Sequence, residues 1–148
     1  MAPRWADLAV GTAAEPREYG PLTRTDFVRY QGASGDFNPI HHDEAFAHEA
    51  GFPTVFSVGM LQAGILAGFC ADWLGADNVR RFAVQFREQV WPGDHLVCEA
   101  VVTRADDAQV DAQVDGGRPE RQVELDVLVR RVESGGVAVT GHATFVVP

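Results

Sequence analysis

The sequence predicts an α+β domain in which sheet wraps around one central helix, and three observations carry that prediction. Helix start and stop signals crowd the first half of the chain. The second half switches to alternating apolar and polar residues, the period of a strand. Between them, residues 59–74 are apolar on nearly every side, the pattern of a helix buried by a surrounding sheet.

Each element has its own signal. Thr23-Arg24-Thr25-Asp26 has the form of a capping box ahead of Phe27, so a helix is expected from about Arg24 to Gln31. Asp43 is placed to cap a second helix, Glu44 to Ala50, and Gly51 to end it. Pro53 opens a crossing loop, and a third helix runs from Gly59 to about Leu74. Gly64, Ala67, Gly68 and Ala71 keep that helix slim, read as close packing against strands rather than as ligand contacts. Further on, Phe82, Val84 and Phe86 alternate with Arg81, Ala83, Gln85 and Arg87. Trp91-Pro92-Gly93-Asp94 turns the chain into a strand with Leu96, Cys98, Ala100 and Val102 on one face. Val123, Leu125, Val127 and Val129 mark another strand, and Ser134-Gly135-Gly136 turns into a last one from Val137 to Phe145. No repeat, linker or low-complexity tract interrupts this order.

At 148 residues the chain is most simply one domain, residues 1–148, with room for a real core. Its 46% hydrophobic and 22% charged content is that of a soluble protein. No apolar stretch follows the basic residue near the start, so no signal peptide is expected. The most apolar run, Val58 to Ala71, is too short to span a bilayer and contains Gln62. Cys70 and Cys98 sit in apolar surroundings and are expected as reduced, buried thiols. The expectation is therefore a cytoplasmic protein without a membrane partner. A formal charge of −9 argues against a nucleic-acid partner, since phosphate neutralisation demands a basic face. It leaves room for a local basic patch, and Arg80, Arg81 and Arg87 are candidates for a phosphate, though a solvated strand face is the plainer reading.

The most informative segment is Tyr30 to Asp43, where the carboxylate of Asp36 precedes the imidazole of His41 by five positions. Gly35 and the Asn38-Pro39 step oppose a helix here, so the chain must turn, and a turn can bring both side chains toward one point. A carboxylate and an imidazole on one point can hold a water and move protons at neutral pH. The alternative is an Asx-type turn in which Asp36 or Asn38 bonds local backbone and His41 is exposed. Spacing alone leaves both open.

The run Ser34-Gly35-Asp36-Phe37-Asn38-Pro39-Ile40-His41-His42-Asp43 resembles the signature of MaoC-like (R)-specific enoyl-CoA hydratases and is similar to (3R)-hydroxyacyl-ACP dehydratase subunits. The likeness continues through Gly51-Phe52-Pro53-Thr54, Gly59-Met60-Leu61 and Trp91-Pro92-Gly93-Asp94. It implies a single hot-dog domain, an antiparallel sheet around the apolar helix, with a short helical overhang carrying the active-site loop. It implies a hydro-lyase in which Asp36 and His41 hold one water for syn addition to a 2-enoyl thioester. Ser34, Gly35 and Asn38 would support that pair. Phe37, Ile40, Val58 and Met60 would line the acyl pocket. The substrate would be carried on CoA or on the phosphopantetheine of an acyl carrier protein, with no resident cofactor. A second copy, or a different hot-dog subunit, would be the partner. Ala105 to Glu120, with Asp106-Asp107 and Asp115-Gly116-Gly117, reads as longer than the family's usual connection.

The thioester oxygen needs backbone N–H groups as charge gathers on it. Gly59, where the third helix begins, offers free N–H groups, a favourable dipole and no side chain in the way. A tight loop-to-helix entry is the structural alternative. One departure stands out. Many relatives place a histidine before this glycine, where this chain has Val58, which can neither donate a hydrogen bond nor titrate. That points to altered substrate choice rather than a lost reaction.

No metal is expected. His41 and His42 are adjacent and point apart, and no Cys or third His follows at ligand spacing. His42 is expected at the surface, and His48, His95 and His142 at surface or satisfied positions. Ser57 lacks a nucleophile-elbow setting. Two other functions fit the same resemblance: a hot-dog acyl thioesterase, or a non-catalytic subunit that shapes the tunnel of a heterodimer. The intact Asn38-Pro39-Ile40-His41 run argues against the first and the presence of both Asp36 and His41 against the second.

Overall fold

In the computed structural model, which describes residues 3–108 and 120–147, three helices precede most of a single sheet. Helix α1, Arg24–Ser34, starts at the expected capping box: Asp26 N–H donates to Thr23 Oγ1 at 3.2 Å, and Thr23 N–H donates to Asp26 Oδ2 at 2.8 Å. It runs one turn past Gln31, because Gly32 and Ala33 allow helix to continue until Gly35 adopts φ 77°. Helix α2, Glu44–Glu49, is capped by Asp43 Oδ1, which accepts from Phe46 N–H at 3.1 Å. Helix α3 is Gly59–Leu74.

Five antiparallel strands follow the order β1-β3-β4-β5-β2. They are β1 Arg17–Tyr19, β2 Val79–Phe86, β3 Leu96–Ala108, β4 Glu120–Arg131 and β5 Val137–Val146. Strand β1 carries no sequence signal, because three residues are too few to show a period; it is held by pairing with Leu96, Val97 and Cys98 of β3. The long connection expected from Ala105 to Glu120 is shorter than it looks in sequence. Asp106 and Asp107 belong to β3, while residues 109–119, with Asp115-Gly116-Gly117, lie outside the described residues.

One face of the sheet buries Leu96, Cys98, Ala100, Val102, Val123, Leu125, Val127, Val129, Val139, Ala143 and Phe145 against Leu66, Phe69, Cys70 and Leu74 of α3. Phe27, fully buried in the same core, anchors α1. Each such side chain contributes about 1.5–3 kcal/mol by burial, and Leu66→Ala is the kind of change that costs about 2–5 kcal/mol. Helix α3 is not enclosed on all sides, however. Met60, Gly64, Gly68 and Asp72 recur every four residues along an exposed face. A methyl group added at Gly64 or Gly68 would touch nothing within 4 Å, so these glycines do not pack on strands as expected. A five-stranded sheet covers one side of its helix, and small residues mark the open one.

The Trp91–Asp94 turn is fixed by a buried ion pair. Asp94 accepts from Trp91 N–H at 2.8 Å and from Arg131 Nε at 2.7 Å, with Arg131 Nη2 3.3 Å from its other oxygen.

Candidate active site

Helix α1 ends by delivering the chain into a tightly bonded loop. The left-handed Gly35 turns it, Ser34 Oγ accepts from Asp36 N–H at 3.2 Å, and Asp36 Oδ1 accepts from Asn38 N–H at 3.2 Å. Asn38 Oδ1 then accepts from Ile40 N–H at 3.1 Å, which opens a single 3₁₀ turn over Pro39–His41. The Asx-type turn is therefore real, but it does not expose His41. The imidazole is buried, 8% exposed, and its Nε2 lies 4.0 Å from Asp36 Oδ2. The two candidate arrangements turn out to be one. Local backbone bonds made by Asp36 and Asn38 produce the approach of Asp36 and His41.

His41 Nδ1 sits 2.7 Å from the Phe56 carbonyl oxygen. A carbonyl only accepts, so Nδ1 carries a proton, and the form of the ring with no second proton turns a bare Nε2 lone pair toward the Asp36 carboxylate. At 4.0 Å these two acceptors are too far apart to bond directly. The ring is also braced by aromatic contacts. Phe56 meets His41 edge-on with centroids 5.2 Å apart, and packs on Phe52 at 4.8 Å and Trp91 at 5.8 Å.

Two further devices hold the loop. Gln31, 2% exposed, donates from Nε2 to the Asp36 carbonyl at 2.8 Å and the Asn38 carbonyl at 3.1 Å. Its Oε1 lies 3.0 Å from Nδ1 of the exposed His42. On the other side Arg24 reaches Glu44 at 2.8 Å and Thr54 Oγ1 at 2.9 Å, and the Thr54 hydroxyl donates to Glu44 at 3.0 Å. This ties α1, α2 and the segment carrying Phe56 together. The Thr54 hydroxyl first, and then Arg24, holds the Glu44 carboxyl below its ordinary value.

A cavity of about 190 Å³ adjoins the start of α3, lined by Phe56, Ser57, Gly59, Gln62, Phe86 and Val139 among others. Gly59 is closely covered: a methyl group there would lie 3.1–3.3 Å from the Phe86 ring. The residues expected to line a pocket take other places. Phe37 and Met60 are exposed, Ile40 is half-buried and Val58 is buried at 3%, and none of the four walls this cavity. Val58 is the residue before the first turn of α3, with an extended backbone that directs its side chain inward. A second cavity, about 300 Å³, lies against Ala13, Glu99, Val101, Leu128 and Thr140 and shares no residue with the Asp36 loop.

The other histidines are paired: His48 with Glu44 and the Pro53 carbonyl, His95 with Glu133, His142 with Asp126. Among the described residues no three His, Cys, Asp or Glu side chains are placed to hold a metal ion. Cys70 and Cys98 are free and buried. No helix of the described residues is long and apolar enough to cross a membrane.

The family model for the MaoC like domain matches residues 7–123. An (R)-specific enoyl-CoA hydratase of Aeromonas caviae is 26% identical over 123 residues, covering 83% of this chain and 84% of that protein. Among solved structures, an (R)-hydratase from A. caviae involved in PHA biosynthesis superposes with a TM-score of 0.77 at 26% identity, covering 95% of this chain and 98% of the other. A chain of the ChsH1–ChsH2 complex from Mycobacterium tuberculosis shares the fold at a TM-score of 0.77 and 18% identity, again over 95% and 98% of the two chains.

Proposed function

This chain belongs to the MaoC-like domain family, and from that premise we propose that it hydrates 2-enoyl thioesters and, in reverse, dehydrates (3R)-hydroxyacyl thioesters. The observation that carries the reading is the orientation of His41. Its Nδ1–H is committed to the Phe56 carbonyl at 2.7 Å, so its Nε2 is a ready base 4.0 Å from Asp36. A water oxygen about 2.8 Å from each acceptor fits that gap and donates to both. In dehydration His41 Nε2 takes the Cα proton, Asp36 holds the Cβ hydroxyl, and the proton passes to that hydroxyl as the C–O bond breaks and water leaves. Hydration is the same path reversed, with hydroxyl and proton added to one face. Charge on the thioester oxygen falls beside the first N–H groups of α3 at Gly59, where no side-chain cap competes for them.

Asp36 is half-exposed while His41 is buried, which suits one group meeting entering water and one held in fixed orientation. The substrate arrives on CoA or on an acyl carrier protein, so the chain needs no resident cofactor. Assay of the purified chain with a panel of enoyl thioesters tests the proposal. Loss of the enoyl double bond without release of free thiol is the expected result. Thiol release would make it a thioesterase, and no turnover by the chain alone would make it a non-catalytic subunit.

The working unit is a dimer, with a second copy or a different hot-dog subunit. Edge strand β2 pairs on one side only, and Val79 and Phe86 along it are exposed, a surface that sheets normally cover. Sedimentation at nanomolar concentration is the check, and a fully active monomer would refute it.

A further inference from the structure

We infer that His42 and Gln31 form a positioning relay, in which an exposed imidazole outside the reaction fixes the backbone that carries Asp36. The inference rests on the reading of Asp36 and His41 as the reacting pair. Gln31 touches two backbone carbonyls, of Asp36 at 2.8 Å and Asn38 at 3.1 Å, and both can only accept. Its amide nitrogen must therefore face them, and its Oε1 must face the other way. There it meets His42 Nδ1 at 3.0 Å, which has to be a donor. With Nε2–H instead, two acceptors would oppose each other, and the buried amide would turn its oxygen onto the Asp36 and Asn38 carbonyls. So the carbonyls orient the Gln31 amide, the His42 Nδ1–H secures its outer end, and the amide so held grips the two carbonyls that flank Phe37.

The geometry makes this consequential. Among the described residues the Asp36 side chain hydrogen-bonds only local backbone, at Asn38, so beyond the Ser34 hydroxyl at the end of α1 the loop's tie to the body of that helix runs through Gln31. The opposite wall is fixed separately, since His41 is held by Phe56. A loosened Asp36 then moves relative to a fixed His41, which is a fault in the reacting geometry rather than in the fold. His42 itself is exposed, and its hydrogen bond goes to Gln31 rather than to the reacting pair.

The experiment compares the parent with His42→Phe, His42→Asn, Gln31→Met and Gln31→Met/His42→Phe. His42→Phe removes the donor at a surface site where folding is not at risk, and is expected to lower kcat about 10- to 100-fold with KM changed less than about threefold. Asn places an amide N–H where His42 Nδ1 stood, so His42→Asn recovers most of the loss. The double variant is no slower than Gln31→Met alone, because the two residues act in series. A parental kcat in His42→Phe, or losses that multiply in the double variant, would overturn the relay. Nitrogen-15 NMR of the parent at a pH where imidazoles are neutral gives a readout independent of turnover. His42 is expected as the Nδ1–H tautomer, reverting to Nε2–H in Gln31→Met. An Nε2–H His42 in the parent would overturn the relay whether or not the chain proves to be a hydratase. An inactive parent with the Nδ1–H tautomer would refute the proposed reaction while leaving the relay standing.

Discussion

His41 Nδ1 donates to the Phe56 carbonyl at 2.7 Å, and this one bond decides which nitrogen faces Asp36. It makes a base of a buried imidazole without any charged partner at the other nitrogen. The consequence for mutation is direct. Asp36→Asn keeps the oxygen that accepts from Asn38 N–H and so keeps the loop, but it removes the carboxylate. We expect turnover to fall about 10²–10⁴-fold, and a comparable fall for His41→Ala. Circular dichroism should show both folded. Hydration of crotonyl-CoA at a near-parental rate by either variant would remove the pair from the mechanism.

How much of this was legible follows from which atoms do the work. Asp36, His41 and Asn38 are side chains in one contiguous run, and the glycine and proline around them announce a turn. The partner of His41 is a backbone carbonyl, which every residue carries, so no residue type at position 56 could have marked it. Gln31 left only a faint trace: it lies four residues after Phe27, on the face that Phe27 buries in the core. A polar residue on a buried helical face needs partners, but sequence cannot say that they are the carbonyls of a loop. Strand β1 was hidden by its length, and the open face of α3 by its composition, since an apolar or small residue looks the same buried or bare.

Activity should survive dialysis against a strong chelator. His41, His42 and Asp43 are the nearest thing to a ligand run, yet each is engaged elsewhere: with Phe56, with Gln31 and with Phe46 N–H. Their remaining ligand atoms are not gathered round one point: among the described residues no three His, Cys, Asp or Glu side chains are placed to hold an ion. Loss of turnover on chelation, restored by Zn²⁺, would contradict this and reassign the loop.

The overhang should loosen in acid before the sheet does. Glu44 is held below its ordinary value of 4.5 by Thr54 and Arg24, and Asp26 below 3.8 by Thr23. A depressed carboxylate adds stability that is present above the ordinary value and is lost as pH falls through the folded one. Tm of the parent should therefore drop between about pH 5 and pH 3, and the drop should be shallower in Glu44→Gln. An equal slope in both proteins would show that the Arg24–Glu44–Thr54 cluster adds nothing to folding.

Cys70 and Cys98 should be silent toward a disulfide reagent in the native protein. Burial pushes both thiols up to about 12, so the reactive thiolate is scarce at neutral pH. Both should titrate after unfolding in guanidinium, and non-reducing and reducing samples should behave alike. Rapid labelling of the folded chain would place one of them at the surface.

The Arg131–Asp94 pair should be the costliest polar contact to break from one side. Asp94 and Arg131 side chains are 9% and 16% exposed, with Nε and Oδ2 2.7 Å apart. Arg131 feels the pairing as a raised value, caused first by its bond to Asp94, and Glu88 at 3.5 Å is a weaker second partner. Among the described residues, Arg131→Met leaves the Asp94 carboxylate with only Trp91 N–H to answer it, an uncompensated charge in a buried turn. We expect a loss of about 3 kcal/mol, which is roughly 10 °C in Tm for a chain of this size. Replacing both partners, as in Arg131→Met/Asp94→Asn, should recover much of that loss, because the cost lies in the orphaned charge more than in the missing bond. Trp91 and its contact with Phe56 sit on this turn, so the single variant should also slow turnover while the double one restores it. Thermal unfolding of the three proteins decides the matter: a single variant as stable as the parent would mean that the turn stands without its ion pair.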